Sequence, residues 1–410
     1  MDFDRIFRNA RIGGREGAPV DIGVKAGRFA AIEITLAGSG PEQPLDGRLV
    51  VPGFIETHIH LDKSCLLGRC DCRTGTLEEA ISEVAKAKRN FTEEDVYVRA
   101  SRTLEKAILH GTTRMRTHVE VDPRVGLTSL RALLKLKKDY AWAIDIELCA
   151  FPQEGLLDDP GSEEVLVQAL EEGADVVGGS PYTDQDSHGQ IAHIFALAKR
   201  FDVDIDLHLD FGLDPSHLDL DEVCRKTDET GWAGRVTVGH VTKLSAVAPE
   251  RLETIGRRMA SAGVALTVLP ATDLFLNGHD HPHSVPRGVT PVHRLLDLGV
   301  TCSLSTNNVL NPFTPFGDCS LIRIANLYAN VAQVSPPDRM AACIDMITTQ
   351  SARLMNLDDY GIAVGLPADL VVLDCSSPME AVAEIAPPLA GFKAGRPTFS
   401  RQRPVLHRPA

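Results

Sequence analysis

The middle of the chain alternates short apolar runs with longer segments in which apolar residues recur at helical spacing. The short runs predict buried strands, and the longer segments predict helices that cross between them. Eight strands are predicted, one ending at the His58-Ile59-His60 run and the others over residues 113–119, 145–151, 175–179, 203–208, 236–240, 264–268 and 301–305. Predicted helices between them include residues 77–89, 163–172 and 249–262. An eightfold βα alternation of this length predicts an α/β fold, the (β/α)8 TIM barrel.

The two ends of the chain follow a different pattern, with short alternating runs between glycine-rich turns. Near the N-terminus this pattern predicts three strands, over residues 6–12, 20–25 and 28–34. Residues 361–374 predict a turn and a strand, and residues 391–395 a hairpin-like return. We expect both ends to pair into one small β-sandwich domain, formed by residues 1–52 and 360–410, beside a barrel domain over residues 53–359.

Composition and charge narrow the class of protein. With 410 residues, 43% hydrophobic and 24% charged, the chain resembles ordinary soluble proteins. It has no apolar stretch of membrane-spanning length and no signal-peptide pattern at its start, so we expect a cytoplasmic protein without a membrane partner. Nine irregularly spaced cysteines favour reduced thiols. The net charge of −14 disfavours nucleic acid as a partner, because nucleic-acid affinity comes chiefly from cationic phosphate contacts.

His58 and His60 give the first indication of chemistry. A strand points alternate side chains to one face, so both imidazoles aim at one point. Further polar residues lie at or just after the ends of predicted strands, namely His118, Gln153, His208, His240 and Asn307. In a TIM barrel those ends form the face that carries active sites. Because imidazole nitrogen suits zinc or iron, the pattern predicts a catalytic site with one divalent metal ion, zinc or iron.

Several short motifs are spread along nearly the whole chain, at residues 57–62, 116–119, 150–155, 206–210, 239–240, 312–317 and 361–374. Together they resemble the cytosine deaminase branch of the amidohydrolase superfamily. In that family a metal ion activates water, which attacks a ring carbon and releases ammonia. The resemblance implies metal ligands at His58, His60 and His208. It also implies that His240 steers the water, that Gln153 binds the ring edge, and that the protein is a homo-oligomer. We expect further substrate contacts from His118, Phe211, Asn308 and Phe313.

Two departures from the family pattern change the expected chemistry. Phe211 stands three residues after His208, where the family has a proton-shuttling Glu, and Asn307 replaces an Asp that binds metal and activates water. Phe carries no proton, and an amide can bind a metal but cannot take a proton from water. Losing such a group typically costs ~10²–10⁴-fold in rate. We therefore expect poor activity on cytosine, weaker metal binding, and a replacement base at Asp210 or Asp273.

Three functions are compatible with these residues. The first is a metal-dependent amidohydrolase that cleaves a C–N bond of a small pyrimidine- or triazine-like heterocycle other than cytosine, with catalytic roles for His240, Asp210 and Asn307. The second is a binding protein on the same scaffold, without catalysis. The third is a lyase or isomerase that uses histidines as acid and base. We favour the first. Lys63, which follows the metal strand, fits a pocket residue and a solvated loop residue equally well.

Overall fold

The computed structural model describes residues 2–408, so Met1 and residues 409–410 of the predicted sandwich domain lie outside the described residues. Five strands open the chain, β1 (Arg5–Ile12), β2 (Val20–Lys25), β3 (Arg28–Glu33), β4 (Glu42–Pro44) and β5 (Leu49–Pro52). Eight strands follow, β6 (Phe54–Ile59), β7 (Thr112–Glu120), β8 (Asp145–Phe151), β9 (Val176–Gly179), β10 (Asp204–Leu209), β11 (Val236–His240), β12 (Val264–Val268) and β13 (Cys302–Leu304). Three more close the chain, β14 (Leu370–Leu373), β15 (Pro388–Lys393) and β16 (Arg396–Ser400).

Helices connect the middle strands. The α-helices are α1 (Leu77–Ala87), α2 (Glu93–Leu109), α3 (Thr128–Asp139), α4 (Ser162–Glu171), α5 (Ser187–Phe201), α6 (Leu220–Thr230), α7 (Pro249–Ala262), α8 (Pro270–Leu276), α9 (Val292–Asp297), α10 (Leu321–Val331), α11 (Pro337–Asp345), α12 (Thr349–Leu354) and α13 (Pro378–Ala383). Short 3-10 turns cover Leu67–Arg69, Lys88–Asn90, Pro181–Thr183 and Thr242–Ala246. Within residues 2–408, no helix is long and apolar enough to cross a membrane.

The strands of the two chain ends form one sheet in the order β16-β15-β14-β5-β1-β2-β3, and β4 also pairs with β1. The ends meet where β5 and β14 pair antiparallel, with Val51 opposite Val371. The first part of β1 pairs with β4, and its last part pairs with β5, so β1 joins two halves of the sheet. Side chains from both halves pack into one shared hydrophobic core. In that core the rings of Phe7 and Phe392 meet edge to face at 4.9 Å. The expected sandwich of both ends is confirmed, and its boundaries stay a prediction.

The other eight strands form a parallel sheet that runs in chain order from β6 to β13. The sheet closes into a barrel at its carboxyl end, where Asn307 bridges to β6. The Asn307 N–H donates to the carbonyl of His58 at 2.9 Å, and the His60 N–H donates to the carbonyl of Asn307 at 3.0 Å. The predicted TIM barrel is therefore confirmed, and its closing hydrogen bonds lie among the candidate site residues.

Most predicted barrel elements occur within a residue or two of their expected bounds. Strands 145–151, 236–240 and 264–268 and helix 249–262 match β8, β11, β12 and α7. The predicted helix 77–89 ends as an α-helix at Ala87 and continues as a 3-10 turn. The strand predicted at 301–305 ends at Leu304, shortly before Asn307 adopts a left-handed backbone with φ of 65°.

Candidate active site

Three histidines converge at the carboxyl ends of β6 and β10. His58 and His60 lie two residues apart and point inward together, and His208 faces them from β10. The Nε2 atom of His208 lies 3.2 Å from Nε2 of His58 and 3.1 Å from Nε2 of His60. Two nitrogens that each bind one zinc ion at ~2.0–2.1 Å lie about 3.0–3.4 Å apart. The spacing of His208 from His58 and from His60 therefore fits that of neighbouring ligands of one metal ion.

The donor chemistry of these rings also fits a divalent cation. Burial, together with the neighbouring positive groups, lowers the pKa of His58, His60 and His208 well below the usual histidine value, which favours neutral imidazoles with free lone pairs. Within residues 2–408, the Nδ1 atom of each ring has no hydrogen-bond partner. His58, His208 and His240 form a set whose ligand atoms all lie within 4.8 Å of one another. A metal at the convergence point would thus lie beside His240.

His240, at the end of β11, is held by a buried carboxylate. Its Nδ1 atom lies 2.5 Å from Oδ1 of Asp273 in α8. The other carboxylate oxygen of Asp273 accepts the N–H of Leu269 at 3.2 Å, which fixes the orientation of the carboxylate. Burial raises the pKa of Asp273, and the pairing with His240 opposes that rise. This arrangement favours a proton on Nδ1 and leaves Nε2 free to accept one.

A chain of three amides fixes the orientation of Asn307. Asn311 Oδ1 accepts two backbone N–H groups of its own turn, at 3.0 and 3.1 Å, so its Nδ2 must be the atom that donates to Asn308 Oδ1 at 2.7 Å. Asn308 Nδ2 then donates to Asn307 Oδ1 at 3.0 Å, and Asn307 Nδ2 lies 3.4 Å from Nε2 of His240. The amide NH2 group of Asn307 therefore faces Nε2 of His240, and its amide oxygen already accepts a hydrogen bond from Asn308.

The backbone at this edge is held in an unusual conformation. His240 has φ of 69° and Asn307 has φ of 65°, both in the left-handed region. Asn tolerates that region, but a histidine there is uncommon and costs free energy. Such strain persists where the surrounding structure holds it, and it is concentrated at functional sites.

On the opposite side of the cavity, Lys63 and Gln153 meet over a buried charge network. Lys63 Nζ lies 2.7 Å from Oε1 of Glu120 and 3.2 Å from Oε1 of Gln153. Glu120 also binds Nζ of Lys88 at 3.0 Å. Burial would raise the pKa of Glu120, but the two ammonium groups outweigh it and hold that pKa at about 2. Lys63 is therefore a buried pocket residue, with 1% of its surface exposed, and not a solvated loop residue.

These side chains enclose a small cavity of about 20 Å³. Its lining consists of His60, Lys63, Leu77, Gln153, Tyr182, His208, Phe211, His240, Thr272, Leu276, Asn307, Asn308 and Phe313. Eight of the predicted site residues lie on this lining.

His58, Asp210 and His118 are predicted site residues that do not lie on this lining. Both carboxylate oxygens of Asp210 accept backbone N–H groups at the start of α6, those of Asp219 and Leu220, each at 3.0 Å. Asp210 thus stabilises a helix start, and Asp273 is the carboxylate that contacts His240. His118 lies behind His58, with the two rings stacked at 3.8 Å. We therefore retain neither the catalytic role predicted for Asp210 nor the substrate contact predicted for His118.

The structure also brings in residues that the sequence did not single out. Tyr182, Leu77, Thr272 and Leu276 lie on the cavity lining, in loops and helices whose position depends on tertiary packing. Asp206 precedes His208 by two residues on β10, and its Oδ1 atom lies 3.4 Å from Nε2 of His118. Strand alternation alone would have placed Asp206 on the same inner face as His208.

Comparison with known proteins finds relatives that match nearly the whole chain. Residues 43–399 match the model of the amidohydrolase family. N-isopropylammelide isopropyl amidohydrolase of Pseudomonas sp. strain ADP is 31% identical over 406 residues, covering 96% of this chain and 97% of that protein. The structure of 5-methylcytosine deaminase from Klebsiella pneumoniae liganded with 5-fluorocytosine superposes with a TM-score of 0.94 at 29% identity, over 98% of this chain and 99% of that one.

A second solved structure points the same way. N-isopropylammelide isopropylaminohydrolase from Burkholderia multivorans superposes with a TM-score of 0.84 at 27% identity, over 96% of this chain and 97% of that one. The family match spans most of the chain and includes every strand of the barrel. The expected resemblance is confirmed. The chain belongs to the amidohydrolase family and is a hydrolase of carbon–nitrogen bonds other than peptide bonds.

Proposed function

We propose that this protein releases an amine or ammonia from a small, flat pyrimidine- or triazine-like ring other than cytosine. The observation that carries the proposal is the position of the buried His208 Nε2 atom, 3.2 Å from Nε2 of His58 and 3.1 Å from Nε2 of His60, at the carboxyl end of the barrel. The most similar proteins named above act, by their names, on rings of this kind. Phe211, at the position of the family's acid, argues against cytosine itself.

In this proposal His58, His60 and His208 hold one divalent metal ion. When bound, the metal would act as a Lewis acid and make water nucleophilic at neutral pH. The remaining work falls to side chains of the protein. His240, oriented through Nδ1 by Asp273, takes the proton of the attacking water on Nε2 and returns it to the departing nitrogen.

Asn307 supports this proton transfer without taking part as a base. Its NH2 group lies 3.4 Å from Nε2 of His240, the nitrogen that accepts the proton in this proposal. Phe211 packs edge to face on His240 at 5.2 Å between ring centres. That contact excludes water from one side of the base and gives the ring of the substrate an apolar neighbour.

For the metal, the compartment and the partners, the proposal keeps the expectations from the sequence. The donor set of three imidazoles supports zinc or iron as the metal. All nine cysteines are free thiols, which supports a reducing compartment such as the cytoplasm. We retain the homo-oligomer and the absence of nucleic-acid and membrane partners as part of the proposal.

The proposal is tested with a panel of amino- and alkylamino-substituted pyrimidines and triazines. The protein is reconstituted with zinc or iron, and released ammonia or alkylamine is measured. At least one compound should be turned over, and the His208→Ala variant should release nothing. If the protein binds these rings but turns over none of them, the result would favour the binding-protein alternative. Elimination or isomerisation products without water incorporation would favour the lyase alternative.

A further inference from the structure

A second group of metal-binding side chains lies outside the cavity, at the carboxyl end of the barrel. It consists of His188, His217 and Asp219, whose ligand atoms all lie within 4.8 Å of one another. Oδ1 of Asp219 lies 3.0 Å from Nε2 of His217 and 3.5 Å from Nε2 of His188. Two ligand atoms that bind one zinc ion at ~2.0–2.2 Å lie about 3.0–3.6 Å apart. Both distances fall within that range.

Asp219 is a buried carboxylate without a lysine or arginine partner. Only 4% of the residue is exposed, and its ion-pair partners within residues 2–408 are His188 and His217 alone. An imidazole offsets a negative charge only while it is protonated. Buried charges in proteins are paired with an opposite charge or coordinate a metal. The surroundings of this carboxylate therefore favour a divalent cation between it and the two rings.

The carboxylate is oriented, whereas the two rings are accessible. Ser187 Oγ donates to Oδ1 of Asp219 at 2.8 Å, an outer-shell contact of the kind that fixes a ligating carboxylate. The side chains of His188 and His217 are 52% and 64% exposed, so a hydrated ion can reach both and keep water in its remaining positions. Two imidazoles and one carboxylate suit zinc and related transition metals, whereas magnesium prefers oxygen ligands alone.

The three ligands come from two separate segments of the chain. His188 lies in the first turn of α5, and His217 and Asp219 lie in the loop between β10 and α6. The same loop carries Phe211, which lines the cavity. Lys243, which follows β11, donates from Nζ to the carbonyl of His217 at 2.8 Å. A metal ion bound here would join the loop that carries Phe211 to the start of α5.

We propose that His188, His217 and Asp219 form a second site for a divalent transition metal of the zinc class, which clamps the β10–α6 loop to α5. The site goes beyond the proposed function, because it shares no residue with the three buried histidines or with the cavity lining. Its ligands are exposed and keep water around the ion, so it should bind zinc more weakly than the central site and fill after it.

A zinc titration tests the second site by binding alone. Zinc is added to protein that already holds one ion per chain, and binding is measured by calorimetry. We expect one further ion per chain, which a matching concentration of magnesium does not displace. Loss of an outer-shell partner costs about 10- to 100-fold in metal affinity, so His188→Ala and His217→Ala should each weaken the second ion by at least about tenfold. Both substituted side chains are exposed, so the variants should fold normally.

Two controls separate this site from other zinc binding. His193 lies on the same helix, with Nδ1 3.4 Å from Oε2 of Glu163, and His193→Ala should keep the second ion. His208→Ala, which lacks a ligand of the central site, should still bind one ion here, and adding His217→Ala should remove it. Failure of the proposed function is therefore recognised independently of this site.

Hydrogen exchange tests the clamp itself. Exchange of the backbone N–H groups of residues 211–219 is compared with one and with two zinc ions per chain. The second ion should slow it at least about threefold in the native protein and have no effect in His217→Ala. Absence of a second ion, or a second ion that both histidine variants retain, would overturn the site. A second ion bound without slower exchange would overturn the clamp.

Discussion

His240 Nδ1 and Asp273 Oδ1 lie 2.5 Å apart, and both side chains are buried. A carboxylate in this position fixes the tautomer of the imidazole and stabilises the imidazolium that forms when Nε2 takes a proton. The family's acid at position 211 and its Asp at position 307 are both absent from this chain. The pair His240–Asp273 is therefore the proton-transfer unit on which the proposed reaction depends.

Asp273→Asn should lower kcat by ~10²–10⁴-fold, because the amide no longer holds the proton on Nδ1. KM should change little, since Asp273 does not line the cavity within the described residues. Steady-state amine release from the best substrate of the panel gives both constants.

The matched control is Asp210→Asn. The Asp210 carboxylate binds two N–H groups at the start of α6, so this variant should lose about 1–2 kcal/mol of unfolding free energy and keep most of its kcat. The opposite result would be an inactive Asp210 variant of unchanged stability and a fully active Asp273 variant. That result would show that Asp210, and not Asp273, is the carboxylate that the reaction needs.

The unmodified protein should turn over cytosine well below the ordinary enzyme range of ~1–10³ per second. Phe211→Glu combined with Asn307→Asp restores the two groups that the family uses, and it should raise ammonia release from cytosine. His58→Ala added to that variant should abolish the gain. Phe316→Glu places the same charge on a phenylalanine that is 62% exposed, and it should have no effect on cytosine turnover. Fast turnover by the unmodified protein would show that another acid replaces Glu.

Asn307→Asp alone should strengthen metal binding by about 10- to 100-fold, because a carboxylate beside the three histidines offsets the charge of a divalent cation. Competition with a chromophoric zinc chelator measures the change. Asn330→Asp, at an exposed position of α10, supplies the same change in net charge far from the barrel edge. Equal gains in both variants would show that net charge, and not a ligand contact, is responsible.

Local pattern was enough to predict the barrel and half of the site. His58, His60, His208 and His240 could be predicted because each lies at or just after the carboxyl end of a predicted strand, where a TIM barrel carries its active site. Asp210 was predicted as a base because it is a carboxylate at the end of a strand. In the structure its orientation depends on two N–H groups at the start of α6, which the local sequence pattern does not reveal. Lys63 was undecided for the same reason, since the carboxylate that buries it comes from Glu120 on another strand.

The charge network beneath the cavity predicts a distinct pH dependence of stability. The pKa of Glu120 is held at about 2, below its usual value near 4.5, so its ionisation stabilises the fold above that usual value. This stabilisation is lost as the pH falls from about 4.5 to 2. The difference in unfolding free energy between the native protein and Glu120→Gln should therefore shrink by roughly 3 kcal/mol over that range. Denaturant titrations at several pH values measure it, and a constant difference would contradict the assigned pairing with Lys63 and Lys88.

The central claim is that three buried histidines hold the metal on which C–N hydrolysis depends. It is tested most directly by removing metal with a chelator, adding zinc back in steps, and measuring bound zinc and amine release in the same samples. Amine release should rise in proportion to bound zinc up to about one ion per chain, and the His208→Ala variant should bind no zinc there and stay inactive. Full amine release from metal-free protein would contradict the claim.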